Sequence, residues 1–422
     1  MIKMKATNHR SRKMILVFLF FAIGISSLGD FIYLIALNIS VLARTHSAAS
    51  VSILWAIPPI AAILTRFWAG SVVDRLDRKA VLVFMDFFRG ILVLILPFLP
   101  SMVGIYAIVF MLSCADVFYK TAFGPYFTKL IPPEKRKRTN SLMGMMQTGA
   151  IVVGPAIAGA LLAFSSPGVA LAANGISFLL SGLAFLLFLP KLLMPSTDEQ
   201  TTIHSGLMQT VKTDWKIVFQ FVKSNRYFIA LYLFVQMTFI IGMALDSQEV
   251  VFAEQVLNLD SSGYSFLVTI CGVGYLLGAV FVALFARHLP LRILIGMTFM
   301  TGIGFLIYAL SGEFWMAALG FIILGFFQSC ASTGFQTFYQ NHVPIDKMGR
   351  IGSVLGLLQS IGIVLLTLLA GVFSNTFGVK GMVVGGVAIE LLFCILLLAA
   401  LFLPSKIHYF SEAHEAQRLQ NL

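Results

Sequence analysis

Gly70-Ser71-Val72-Val73-Asp74-Arg75-Leu76-Asp77-Arg78-Lys79 places five charged residues in the six positions from Asp74 to Lys79. Long apolar runs lie on both sides of it. Charges are too costly in hydrocarbon to stand between such runs unless the chain turns there in water. The stretch reads as a short hairpin where two membrane helices meet the aqueous phase.

Composition extends that reading to the whole chain. Of 422 residues, 59% are hydrophobic and 11% charged, against roughly 25% charged in an ordinary soluble domain. A spanning helix needs about 20 mostly apolar residues. Twelve such segments can be placed, near 14–43, 48–74, 79–100, 102–131, 139–165, 168–190, 226–255, 261–288, 290–311, 313–343, 349–375 and 379–403. The chain is expected to be an all-α polytopic membrane protein with the lipid bilayer as its main partner. The apolar run from Met14 is too long for a cleaved signal. Cys114, Cys271, Cys330 and Cys394 all lie in apolar segments without CxxC spacing, so no metal or cofactor site is implied.

The net charge of +11 reflects topology rather than a nucleic-acid partner. Of the 29 basic residues, Arg44 and Lys380 fall on one side, and Arg66, Arg89 and Lys120 lie inside apolar segments. All the others fall on the side of the N-terminus. The positive-inside rule then puts both termini in the cytoplasm, with an even number of spans and residence in the cell membrane.

The two halves repeat. Ile131-Pro-Pro-Glu-Lys-Arg-Lys-Arg-Thr-Asn-Ser-Leu-Met-Gly aligns with Val343-Pro-Ile-Asp-Lys-Met-Gly-Arg-Ile-Gly-Ser-Val-Leu-Gly. The constant offset matches Pro132 with Pro344, Arg138 with Arg350, Gln147 with Gln359 and Gly159 with Gly371. This predicts two six-helix bundles related by a parallel pseudo-two-fold repeat, residues 1–190 and 226–403. Residues 191–225 form a cytoplasmic linker in which Trp215, Val218, Phe219 and Val222 recur at helical spacing. Residues 404–422 form a cytoplasmic tail.

With these residues in place, the chain resembles the major facilitator superfamily over nearly its full length. Gly70-x-x-x-Asp74-Arg75-x-x-Arg78-Lys79 matches that superfamily's motif between segments 2 and 3. Gly154-Pro155-x-x-Ala158-Gly159 in segment 5 looks like the motif associated with antiporters, although Ala150 and Ala158 replace glycines of the pattern. With Gly29-Asp30 and Asp86-x-x-Arg89, the sequence is similar to the macrolide-efflux and enterobactin-exporter branch. The second half keeps Arg287 but not the aspartate of the hairpin motif. The resemblance implies a monomer working by alternating access on a small molecule, with protons as coupling partner.

The chemistry-bearing residues fall into groups. Gly70, Asp74, Arg75, Arg78 and Lys79 are expected to act in gating. Asp74 would latch to the positive end of segment 11, a contact that favours a carboxylate by roughly 0.3–1 kcal/mol. Gly154, Pro155 and Gly159 are expected to let segment 5 approach segment 8 at Gly272, Gly274 and Gly278. Asp116 and Lys120 lie one turn apart on segment 4, and the repeat maps that face onto Gln328, Ser332 and Gln336 of segment 10. A mutually satisfied structural pair is the alternative for Asp116 and Lys120. Asp30, with no basic neighbour in sequence, suits a protonation switch, or else a water-contacting acid near a helix end. Asp246 and Glu249 would attract a cationic substrate. Asp86 and Arg89 read as a structural pair, and Glu390 lines a pocket or faces protein.

Together these residues indicate a secondary active transporter, with proton-linked efflux of an amphipathic drug-like compound or a siderophore as the leading reading and multidrug resistance its physiological form. The alternatives are a metabolite uptake symporter and a non-transporting lipid-handling or sensor protein. No GxxxxGK[ST] loop appears, and no nucleophile–base or metal-ligand cluster indicates an enzyme. Asp74→Asn is expected to abolish transport while leaving membrane expression intact. Transport and immunoblot measurements on the same membranes check this, and an unchanged rate would remove Asp74 from the gate.

Overall fold

The computed structural model describes residues 9–131, 133–190, 218–285 and 288–403. The basic N-terminus, most of the linker including Trp215, Arg287 and the tail lie outside them. All regular secondary structure among the described residues is helical. In chain order α1 is His9–Thr45, α2 Ala48–Arg75, α3 Arg78–Ile95, α4 Met102–Leu130, α5 Pro133–Phe164 and α6 Pro167–Phe188. Then follow α7 Arg226–Asp246, α8 Glu249–Gln255, α9 Ser261–Phe285, α10 Leu291–Gly296, α11 Thr298–Leu310, α12 Phe314–His342, α13 Ile345–Phe377 and α14 Val379–Leu401. Twelve of the described stretches are long and apolar enough to cross a membrane, with α10 and α11 together making one. The protein is a multi-pass membrane protein.

The repeat is visible in the backbone. α12 repeats α4 at both ends with a 212-residue offset, Met102 with Phe314 and Leu130 with His342. The residues that end these helices match in conformation. Ile131 has φ −98° and ψ 123°, with its N–H donating to the Phe127 carbonyl. Val343 has φ −99° and ψ 121°, with its N–H donating to the Tyr339 carbonyl. Each precedes a proline, which pushes the preceding residue out of the helical region.

The described backbone divides into two compact units. The first holds residues up to His46, Ile57 to the end of α6, and Ser261–Thr269. The second holds Ser47–Ala56, the residues up to Asp260, and Ile270 onward. The boundary inside α2 falls beside Pro58 and Pro59, both within the helix. In the second unit Ser52 is fully buried and its hydroxyl accepts from Gln248 Nε2 at 2.6 Å. Gly371 of α13 meets Ser52 and the backbone of Ala49 there.

Three expectations change. Segment 7 is not one helix over 226–255, because it breaks at Ser247 and Gln248. The Ser247 hydroxyl donates to the Ala244 carbonyl at 2.7 Å, a local bond of the kind that competes with the helical ladder. In the linker, residues 218–224 are helical, with Val218 and Phe221 buried and Phe219 71% exposed. The buried face therefore runs through Val218, Phe221 and Val222, leaving Phe219 on the other side.

The third change concerns the glycines. Gly154 abuts Phe31 of α1, not α9, and a Cβ there would meet Phe31 Cβ at 2.5 Å. Gly159 does meet α9, but at Ser265 rather than at glycines: a Cβ on Gly159 would come to 2.9 Å of Ser265 Cβ. Five residues is about 140° of helix rotation, so Gly154 and Gly159 serve different neighbours. Gly274 and Gly278 of α9 instead face Ile322 and Phe326 of α12, and Gly325 of α12 faces the Cys271 carbonyl. This glycine-to-backbone contact brings α9 and α12 together as small residues do in membranes. Gly325→Ala would drive a methyl into that carbonyl and is expected to cost about 1–3 kcal/mol. Gly385→Ala, with nothing within 4 Å, should gain up to about 1 kcal/mol from helix propensity. Melting temperatures of the two variants in detergent, moving in opposite directions, check the assignment.

Candidate functional site

The first unit contains a charged cluster built by α1, α3, α4 and α6. Small residues make it possible. Gly29 of α1 lies against the side chains of Asn174 and Ser177 of α6. A Cβ on Gly90 of α3 would come to 3.0 Å of the Gly175 carbonyl of α6, and one on Gly182 to 3.2 Å of Asp86 Cβ. α6 is thereby held close to both α1 and α3, and its polar side chains reach groups on both.

Arg89 is the hub. It is buried, ion-paired to the fully buried Asp86, and its Nη1 lies 3.6 Å from Asp116 Oδ1. Its guanidinium carbon sits 4.2 Å from the Tyr119 ring centre and 4.4 Å from that of Phe178. The delocalised, weakly hydrated cation suits such a stack, where a Lys ammonium would not. The second oxygen of Asp86 accepts from the Ser181 hydroxyl at 2.7 Å. A buried charge keeps its ionised form only when it is paired and hydrogen-bonded; Asp86 meets both conditions, while Arg89 is paired but its Nε has no hydrogen-bond partner.

Asp116 links the hub to the open side. Its other oxygen lies 2.6 Å from Lys120 Nζ, and the two side chains are 38% and 75% exposed. Asp30 joins from α1. Its side chain is exposed, and Arg89, Asp116, Lys120 and Asp86 all lie in its electrostatic reach. Tyr33, a turn further along α1, feels Asp30 in turn. Three carboxylates thus share two cations, and one carboxylate charge has no match.

The sequence placed Asp30, Asp116 and Lys120 in the pathway, and the structure brings them together. It adds Asp86 and Arg89, read from sequence as a structural pair and found ion-paired, and Tyr119, Phe178 and Ser181, which were missed. A signal for the last existed: Asn174, Ser177 and Ser181 recur at helical spacing in an otherwise apolar segment.

The hairpin residues are divided among local tasks. Asp77 caps α3, its carboxylate accepting the Lys79 N–H at 3.0 Å. Lys79 Nζ donates to the Leu186 carbonyl at 2.9 Å, near the end of α6. Arg75 ends α2 exposed, Arg78 begins α3 part-buried, and a Cβ on Gly70 would meet nothing within 4 Å. The Asp74 side chain lies outside the described ones. In the second unit Gln328 is half-buried and Gln336 exposed on α12, with Ser332 between them 3.5 Å from the Tyr275 hydroxyl. Asp246 and Glu249 flank the break after α7.

A family model for the Major Facilitator Superfamily matches residues 19–367. The chain belongs to the Major Facilitator Superfamily. It is 24% identical over 370 residues to YfiS of Bacillus subtilis (strain 168), described as an uncharacterised transporter of this superfamily; the match covers 84% of this chain and 86% of YfiS. It is 27% identical to BacE of Bacillus amyloliquefaciens, described as a candidate bacilysin exporter, over 63% of this chain and 65% of BacE. Among solved structures, a point mutant of the nucleoside transporter NupG aligns with a TM-score of 0.76 at 12% identity, over 92% of this chain and 99% of NupG. A bacterial homologue of the human lysosomal transporter Spinster aligns at 0.71 and 13% identity, over 94% and 98%. These structural likenesses establish a transporter fold.

Removing one member of a buried ion pair costs about 3–5 kcal/mol. Arg89→Ala should therefore lose most folded protein on extraction, whereas Asp86→Asn/Arg89→Gln should recover much of it. Lys120→Gln, at a largely exposed pair, should change stability by no more than about 1 kcal/mol. Size-exclusion yield and thermal melting of the three variants check the ranking.

Proposed function

We propose that the protein is a secondary active exporter that moves a small amphipathic molecule out of the cell in exchange for protons. The unmatched carboxylate of the first unit carries this reading. Asp30 has an exposed side chain and is coupled to a cluster whose other acids have cation partners, so a proton gained or lost there changes the balance of the whole cluster. The candidate bacilysin exporters among the relatives and the segment-5 motif support export over uptake.

Roles follow from that assignment. Asp30, Asp116 and Lys120 form the proton and substrate pathway of the first unit. Gln328 and Gln336, with Asp246 and Glu249, contribute that of the second. Asp74, Arg75 and Arg78, with Gly70 and Lys79, gate the cytoplasmic side, and Gly154, Pro155 and Gly159 give segment 5 the shape for closure. The protein works as a monomer in the cell membrane with both termini inside.

Inverted membrane vesicles test the direction and the coupling together. With fluorescent amphipathic dyes selected from a susceptibility panel, vesicles acidified inside should accumulate dye, and a protonophore should abolish it. Asp30→Asn should reduce accumulation at least tenfold at unchanged expression. Accumulation only in right-side-out vesicles would indicate uptake, and an Asp30→Asn variant as active as the wild type would move the proton site elsewhere.

A further inference from the structure

Glu390 has no part in the cluster above. It lies in mid-α14, 2% exposed, and its Oε2 has no hydrogen-bond partner. One turn earlier, Gly386 packs against the last turn of α7, where a Cβ would meet Leu245 Cδ2 at 2.8 Å. Asp246 follows Leu245, and Glu249 opens α8 after the break. Asp246 acts electrostatically on both Glu390 and Glu249. Asp246 and Glu249 are half-buried, so the cluster has an open end and a sealed end.

The described surroundings supply no counter-charge. Cys271 of α9 lies within the electrostatic reach of Asp246 and Glu249, and Cys394 on α14 within that of Glu390. Cys394 donates its thiol to the Thr298 carbonyl at 3.5 Å, and Tyr308 of α11 donates its hydroxyl to the Glu249 backbone carbonyl at 3.2 Å. Among the described residues no Lys, Arg or His acts on the three acids. An ionised carboxylate sealed from water without a partner costs several kcal/mol, and three near one another add repulsion. The described residues include no set of three side chains able to hold a metal ion. A proton needs a single oxygen and no cage.

We propose that Glu390 and Asp246 form a second proton-binding site, in the second unit, separate from the Asp30 cluster. Asp246 takes a proton from water at the open end. Glu390 receives it on its unpartnered oxygen as Asp246 returns to the carboxylate, and the reverse transfer releases it. Glu249 sets the repulsion that makes the shared proton favourable. Proton binding here stands by itself; its use in transport rests on the proton-linked reading above.

Infrared spectra of the purified full-length protein, recorded against pH, test the site without a known substrate. The wild type should keep a protonated-carboxyl C=O band at neutral pH. Glu390→Gln, nearly isosteric with the neutral acid, should lose that band, and Asp246→Asn should shift the pH at which it titrates. A band left intact by both variants, or absent from the wild type, overturns the proposal. If Glu390→Gln fails to fold, the Asp246→Asn spectrum alone decides. Asp30→Asn should leave this band in place. Failed dye transport with an intact Glu390 band would reject the export reading and keep the site.

Discussion

A guanidinium held away from water needs full neutralisation, and the first unit is arranged around that need. Arg89 has Asp86 on one side, Asp116 on another, and the aromatic faces of Tyr119 and Phe178 against it. Supplying those partners takes α4 and α6 besides its own helix, and α6 must approach at backbone distance. The glycines at 90, 175 and 182 permit that approach, and Gly29 brings α1 alongside. Polar chemistry and small-residue packing are therefore one constraint seen from two sides. Without the close contacts, Ser181 could not reach Asp86.

The same constraint is met differently in the second unit. There the closest approaches, between α9 and α12, join glycine to main-chain carbonyls and bring no side-chain charge with them. Its acids lie elsewhere, beside the break after α7 and in mid-α14, and among the described residues no basic side chain accompanies them. α4 and its repeat α12 share their length and their terminating dihedrals to within a few degrees, yet among the described residues the first unit balances its buried acids with cations and the second does not. A duplicated scaffold here carries two unlike electrostatic designs.

Much of this was legible in the sequence. Span number follows from hydropathy, and the repeat offset read from Pro132 and Pro344 reappears in both ends of α4 and α12. The hairpin after α2 forms where the charges demanded it, with Asp77 as its cap. What escaped was pairing at long range. Asp86 and Arg89 are three residues apart, so their mutual contact was readable, but their reach to Asp116 and Ser181 depends on which helices pack together. The partners of Gly154 and Gly274 escaped for the same reason: a small residue announces a close approach without naming its neighbour. Phe219 and Phe221 show the limit of periodicity, where a shift of two residues exchanges the buried and exposed sides.

Pro58 and Pro59 have a mechanical meaning. Neither can donate to the carbonyl four residues before it, so α2 lacks two consecutive rungs where its membership passes from one unit to the other. A continuous helix resists bending because bending stretches bonds it already has. At this point those bonds do not exist, and a change of direction would break none. The helix can therefore change direction beside Ala56 and Ile57 without giving up a backbone hydrogen bond of its own.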